Sequence, residues 1–436
     1  MSIKCDLIIQ GGSILTMDNW MSILENQSIA IAGGRILDIY PQNQDIYEAE
    51  ELIDATGCLV IPGLINTHSH IPMTYFRGLA DDLPLDIWLN KYIWPLEAKL
   101  INHDFVYDAS LHGAAEMIKH GIVLTNDMYF QMRAIADACS SLGLRVIVSE
   151  AMIDAKDTAA KHPIGTKLLE LKEEFRDNEL VSFSLAPHAI YTCGTQTLAR
   201  VAELAQEHNL LIHSHLSEAE AEPYNCLKEH GMRPVHYLKS LGILESKAVF
   251  AHGIWVDNAE MELLAESEAS IALCTDSNLK LSSGIAPIKA YRDAGVNLAL
   301  ATDGVASNNN LDLFAEMDFT AKLHKAINRD PSFLRAEEML RMVTIDAARA
   351  LGLEDQTGSL EQGKAADLII IDTENLESQP LYNPYSHLVY AIGAHSVRDT
   401  VINGRVVMRD RKLTKVSEQD LIARAKDYKA KLIKEL

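Results

Sequence analysis

The chain has 436 residues, 48% of them hydrophobic, enough for a large core and for more than one ordinary domain. Lys+Arg 39 against Asp+Glu 61 leaves a formal net charge of -22, which repels nucleic-acid backbones and anionic membranes and argues against both as partners. Six scattered cysteines without a C-x-x-C pair, no signal-peptide pattern at the N-terminus and no apolar run of bilayer length make a reducing, cytoplasmic setting the expectation.

Residues 1 to 57 read as a small antiparallel β module. Its strands fall at Asp6–Ile9, Ser13–Met17, Ser28–Ala32 and Arg35–Tyr40, with Gly11-Gly12 and Gly33-Gly34 at turns. The texture returns near the C-terminus at Ala366–Ile371, Leu388–Ile392 and a hairpin over Thr400–Met408 that turns on Asn403-Gly404. Between these ends the chain alternates strand and helix. Apolar runs fall at Cys58–Ile65, Gly121–Thr125, Arg145–Ser149, Val181–Ala186, Leu210–Ile212, Ala248–Phe250, Ser270–Leu273 and Val296–Ala301. Helix-period segments such as Asp104–Lys119, Thr195–His208 and Ala259–Glu266 separate them.

That pattern is an α/β chain: a (β/α)8, TIM-like barrel over 58–361 with a small β-sandwich from 1–57 plus 362–415. Residues 416–436 read as a C-terminal helix opening at Ser417-x-x-Asp420, with Leu421, Ile422, Ala425, Tyr428 and Leu432 on one face.

In such barrels chemistry sits at the C-terminal strand ends. The first strand leads into Ile61-Pro-Gly-Leu-Ile-Asn-Thr-His-Ser-His70, where one intervening residue on extended chain points His68 and His70 to the same face. A bare H-x-H matches by chance about as often as not. Here, however, Pro187-His188 follows the fourth run, His213-Ser-His215-Leu-Ser-Glu218 the fifth, Ala251-His252-Gly253 the sixth and Thr302-Asp303-Gly304 the eighth. A barrel brings all five ends to one mouth. Three histidines and a carboxylate suit one divalent transition metal, zinc first and iron as the alternative.

The sequence resembles the amidohydrolase superfamily, and within it the 5′-methylthioadenosine/S-adenosylhomocysteine deaminases and related chlorohydrolases. The shared motifs are P-G-L-I-N-T-H-S-H (62–70), W-x5-W-P-L-E (88–97), A-P-H (186–188), H-x-H-x-x-E (213–218), A-H-G (251–253), S-N-L-K-L-x-S-G-I-A-P (277–287) and T-D-G-V-A-S-N-N (302–309). The resemblance implies that His68, His70, His215 and Asp303 bind the metal, that Glu218 is the acid/base and that His252 orients the attacking hydroxide. Asp303 would take the proton of the attacking water. Glu97 and His188 would contact substrate, Glu97 at the two ribose hydroxyls; Ser307 would reach substrate as well. Arg145 is the one clear match for the arginines that bind the substrate tail in some relatives.

Thr275-Asp276 stand where the family commonly has a proline and a small residue. No lysine ends the fourth run, so a single metal is expected rather than a carbamate-bridged pair. The P-C-x-x-C of the cytidine-deaminase type is absent. The implied activity is hydrolytic deamination of an adenosine-type thioether nucleoside, by a homo-oligomer if the family pattern holds. Two other readings stay open: the same site acting on guanine, another aminated ring or a triazine halide, and a non-catalytic metal-binding barrel.

Overall fold

The computed structural model describes residues 2–154 and 164–434. At its centre eight parallel strands form a barrel: β1 Leu64–His70, β2 Ile122–Tyr129, β3 Arg145–Met152, β4 Val181–Pro187, β5 Leu211–Leu216, β6 Ala248–His252, β7 Ala269–Leu273 and β8 Asn297–Leu300. Each pairs in parallel with the next. Every residue of β1, β2, β6 and β7 is buried, so their apolar stretches run on without alternation, and β1 and β2 turn polar only toward the mouth. Helices including His103–Lys119, Thr195–His208 and Asn258–Glu266 lie between the strands where the 3.6-residue period placed them.

The barrel closes just past β8, where Asp303–Gly304 pair in parallel with Ser69 and His70. Below that bridge, side chains hold the seam. Asn66 donates to the Thr302 hydroxyl at 2.8 Å, the Thr302 N–H donates to Asn66 Oδ1 at 3.0 Å, and the Thr67 hydroxyl donates to the Leu300 carbonyl at 2.9 Å. Closing the barrel therefore delivers Asp303 to the two histidines of β1.

Two outer sheets draw strands from both chain ends. One runs Arg35–Pro41, Gln27–Ala32, Ile3–Gln10, Tyr47–Asp54; the other runs Lys412–Leu413, Arg405–Arg409, Val397–Ile402, Leu368–Asp372, Cys58–Pro62, Ser13–Leu15, Ile23–Glu25. Their apolar residues, among them Leu7, Ile9, Ile14, Ile29, Val60, Leu368 and Ile370, form a core separate from that of the barrel. The pairing is mixed rather than purely antiparallel, since Ile3–Gln10 with Tyr47–Asp54 and Ser13–Leu15 with Cys58–Pro62 are parallel. Asn403 and Gly404 both have positive φ, 51° and 69°, as a tight hairpin turn requires.

Two of the expected strands need correction. The run Cys58–Ile65 is two strands: Cys58–Pro62 belongs to the outer sheet, and the barrel begins only at Leu64. Gly63 makes the crossing, because a Cβ there would lie 2.1 Å from Val123 Cγ1. Leu388–Ile392 is not a strand, since helix Pro384–Tyr390 runs through it. Proline occupies the first turn, and the Asn383 side chain caps the Ser386 N–H at 3.1 Å, so local capping overrides the β-type residues.

The last helix, Glu418–Leu432, is capped by Ser417 and buries Leu421 and Leu432 but exposes Ile422; expected residues 435–436 lie outside the described range. Among the described residues no helix is long and apolar enough to cross a membrane.

Candidate active site

One cavity at the C-terminal mouth of the barrel is lined by His70, Glu97, Tyr129, His188, His215, Glu218, His252, Asp303 and Ser307, with Leu85, Trp88, Leu89 and Trp94 covering it. His68 lies fully buried beside it. Ligand atoms of His68, His70, His215 and Asp303 all fall within 4.8 Å of one another. His70 Nε2 and His215 Nε2 are 3.3 Å apart, while His68 Nε2 and His70 Nε2 stand 3.1 and 3.3 Å from Asp303 Oδ1.

The other ring nitrogens are already committed. His70 Nδ1–H donates to the Met128 carbonyl at 2.6 Å and His215 Nδ1–H to the His188 carbonyl at 2.7 Å, so each Nε2 carries a bare lone pair. Two lone pairs facing each other at that distance repel unless a cation lies between them. Burial drives His68 down to about 4 and His215 well below the usual histidine range, so both are neutral and able to ligate. Burial alone would raise Asp303, but His68 and His70 hold it well below the ordinary carboxylate range. Three imidazoles and one carboxylate around one point fit a single divalent metal, and the Asp303 carboxylate that, against burial, raises the His70 ring above its ordinary value would equally favour a cation there.

Asp303 is held from behind. Its Oδ2 accepts the Ser277 hydroxyl at 2.6 Å and the Ser307 hydroxyl at 2.8 Å, leaving Oδ1 for the cluster. Asp303, His252 and Ser217 all sit in the left-handed region, φ 60°, 72° and 48°, where non-glycine residues cost about 1–3 kcal/mol each and mark functional turns. Those turns swing the chain outward at the ends of β8, β6 and β5.

Glu218 follows Ser217 and is buried, which raises its carboxyl despite the pull of His252. Its Oε2 lies 3.7 Å from His252 Nε2. The His252 Nδ1–H donates to Asn278 Oδ1 at 2.8 Å, fixing the ring so that Nε2 faces the cavity. The Glu218 N–H donates to the buried Glu222 carboxylate at 3.1 Å, which holds the turn.

Glu97, on helix Trp94–Leu100, enters the cavity and accepts the Tyr129 hydroxyl at 2.6 Å. Burial pushes its carboxyl up to about 7, against the effect of that hydrogen bond. His188 Nδ1 is 3.1 Å from the Thr192 hydroxyl, and burial lowers the ring to about 3. Ser307 lines the cavity while donating to Asp303.

Arg145 is not at the site. It opens β3 at the opposite, N-terminal end of the barrel, where Nε donates to Asp367 Oδ2 at 2.7 Å and the other nitrogens to Asn403 Oδ1 and the Glu179 carbonyl at 2.8 and 2.6 Å. An arginine that starts a strand cannot reach the mouth at the strand's other end. Asp276 also stays out of the cavity. Its side chain accepts from Asn310 at 3.2 Å, and the N–H groups of Thr275 and Asp276 converge on buried Glu316.

Sequence reasoning named no role for His213, Tyr129, Ser277 or Asn278. His213 Nε2 meets His68 Nδ1 at 2.7 Å. The first histidine of H-x-H-x-x-E and the Ser-Asn of S-N-L-K-L stood inside quoted motifs and were the available signals. Tyr129 gave none.

A parallel barrel whose mouth gathers three histidines, an aspartate, a glutamate and a further histidine is that of a metal-dependent hydrolase. The amidohydrolase family profile matches residues 59–407. The chain is 42% identical over 438 residues to a 5-methylthioadenosine/S-adenosylhomocysteine deaminase of Syntrophobacter fumaroxidans, with 99% of each covered. It is 39% identical over 431 residues to a 5'-deoxyadenosine deaminase of Methanothermobacter thermautotrophicus, covering 94% of this chain and 100% of that one. The crystal structure of an adenosine deaminase from Xanthomonas campestris with bound zinc superposes with a TM-score of 0.96 at 35% identity, covering 100% of both chains. This chain belongs to the amidohydrolase family.

Proposed function

We propose that the protein hydrolytically deaminates adenosine-type nucleosides, including 5′-thioether and 5′-deoxy forms, to the inosine analogue and ammonia. The observation that carries this is one cavity with Glu218 and His252 over the metal-binding cluster and Glu97 reaching in from helix Trp94–Leu100. The relatives named for deamination of such nucleosides support the same reading.

His68, His70, His215 and Asp303 hold the metal, which we take to be zinc, with iron the alternative. A bound divalent ion of this kind lowers the pKa of water from about 15.7 to about 7 and so supplies a nucleophile at neutral pH. Asp303 accepts the proton lost by the attacking water. Glu218, whose carboxyl is raised by burial, protonates the ring nitrogen next to the amine-bearing carbon and makes that carbon electrophilic. His252, fixed by Asn278 through its Nδ1–H, turns Nε2 to the attacking water, accepts a hydrogen bond from it and so orients it. A proton passed to the exocyclic amine then releases ammonia, so one water is consumed for each ammonia formed. Glu97 accepts the sugar hydroxyls and His188 packs beside them. All six cysteines are free and buried, consistent with the cytoplasmic location we assign.

Ammonia release from metal-replete protein tests the reading, using adenosine, 5′-methylthioadenosine, S-adenosylhomocysteine, adenine and guanine. Turnover of nucleosides but not free bases is the expected result. Turnover of guanine alone removes the nucleoside assignment. Activity in Glu218→Gln equal to wild type, at full metal content, removes the acid/base role.

A further inference from the structure

We propose that Tyr129 is a positioning residue for sugar recognition: its phenol fixes the Glu97 carboxylate in the orientation that receives the nucleoside's hydroxyl groups. The inference rests on the nucleoside reading above and concerns a residue to which that reading gives no role.

Tyr129 is the last residue of β2, 2% exposed, and its ring packs on Phe130 with centroids 5.4 Å apart. Glu97 is 7% exposed and comes from a different element, helix Trp94–Leu100. Both line the cavity that contains His70, His215 and Asp303. The Tyr129 hydroxyl donates to Glu97 Oε1 at 2.6 Å, a charge-assisted distance. A rigid strand thus pins a carboxylate carried by a helix.

The type of donor matters. A lysine or arginine here would pair with the carboxylate and spend its charge. A phenol is neutral, and burial keeps it protonated at any working pH, so it orients Glu97 and leaves the negative charge free. With one lone pair of Oε1 occupied, Oε2 and the remaining Oε1 position are left to accept two vicinal hydroxyls. An unpinned glutamate would sample other rotamers and present both acceptors together only part of the time.

The test is Tyr129→Phe, which deletes one oxygen from a buried ring, compared with wild type on adenosine and 2′-deoxyadenosine. Losing a hydrogen bond to a charged acceptor predicts that kcat/KM for adenosine falls roughly tenfold or more, carried mainly by KM. Discrimination against the 2′-deoxy substrate should shrink, and the substitution should add nothing in a Glu97→Gln background. Metal content, measured in parallel, stays at wild type.

An unchanged KM in Tyr129→Phe overturns the proposal. So does an equal loss on both substrates, or a loss that persists in the Glu97→Gln background, since either marks packing rather than sugar recognition. If Tyr129→Phe does not fold, wild type and Glu97→Gln compared on the two sugars still decide: equal discrimination by both removes Glu97 from the sugar site and Tyr129 with it. Wild-type protein that acts on free bases and on no nucleoside removes both the function and the inference, whereas active wild type with an unaltered Tyr129→Phe removes the inference alone.

Discussion

Arg145→Met separates a stability role from a substrate role. The Arg145 side chain is 15% exposed and its partner carboxylate on Asp367 is fully buried. The substitution keeps the aliphatic stem but removes three hydrogen bonds and strands the Asp367 charge. Breaking a buried pair by deleting one partner costs about 3–5 kcal/mol. Asp367 keeps two donors, the Thr357 hydroxyl at 3.0 Å and the Asn403 N–H at 2.7 Å, which places the cost near the lower end, about 3 kcal/mol. Urea unfolding at neutral pH should show that loss. Steady-state kinetics at a temperature where both proteins are folded should stay within about twofold of wild type for 5′-methylthioadenosine and for S-adenosylhomocysteine alike. Collapse of S-adenosylhomocysteine turnover alone, with unfolding unchanged, would refute the placement of Arg145 away from the site.

Other outcomes can be checked alongside it. Glu97→Gln should raise KM for nucleosides while stabilising the metal-free fold above neutral pH. The carboxyl is raised from its ordinary value to about 7 in the folded chain, so the folded state binds its proton more tightly, and stability falls as pH rises from the unfolded value through about 7. A glutamine escapes that loss, worth on the order of 3 kcal/mol, and the difference between the two proteins should vanish toward pH 4 in pH-dependent unfolding. Removing the metal with a chelator should abolish turnover, and titrating zinc back should restore it at one ion per chain, read by elemental analysis. Ser277→Ala and Ser307→Ala each free one lone pair of Asp303 Oδ2 and should weaken metal retention or turnover by about 10–100-fold, the range for partners that orient metal ligands.

The barrel strands were legible because each carries a short, mostly buried apolar run between helical segments, a pattern that survives without any knowledge of tertiary contacts. That His68, His70, His215, Glu218, His252 and Asp303 would gather was legible as well, because a strand-end position converts a place in the sequence into a place at the mouth. Arg145 escaped that logic because it stands at the start of its run, and the motif comparison ignored which end of the strand it occupied. The double identity of Cys58–Ile65 was hidden because both halves are buried, with Leu59 and Ile61 packed in the barrel core beside Leu64 and Ile65 and only Cys58 and Val60 in the outer one, so hydrophobicity does not change where the sheets do. Leu388–Ile392 misled because its composition favours strand while the deciding signals, Asn383 and Pro384, lie upstream. Tyr129 was invisible because its partner is remote in sequence and an isolated tyrosine at a strand end is unremarkable.

The crossing at Gly63 also bears on how the chain acquires its metal. The strand that precedes it, Cys58–Pro62, takes one of its neighbours from Leu368–Asp372, near the far end of the polypeptide. During synthesis from the N-terminus, His68 and His70 leave the ribosome early, on a segment whose anchoring partner does not yet exist. Asp303 reaches them only when the barrel closes, and the outer sheet that steadies β1 needs Leu368–Asp372, which follows later in the chain. A chain cut short before Leu368 would therefore carry His68 and His70 without the outer strand that anchors their segment, so the cluster at the mouth depends on residues made long after them.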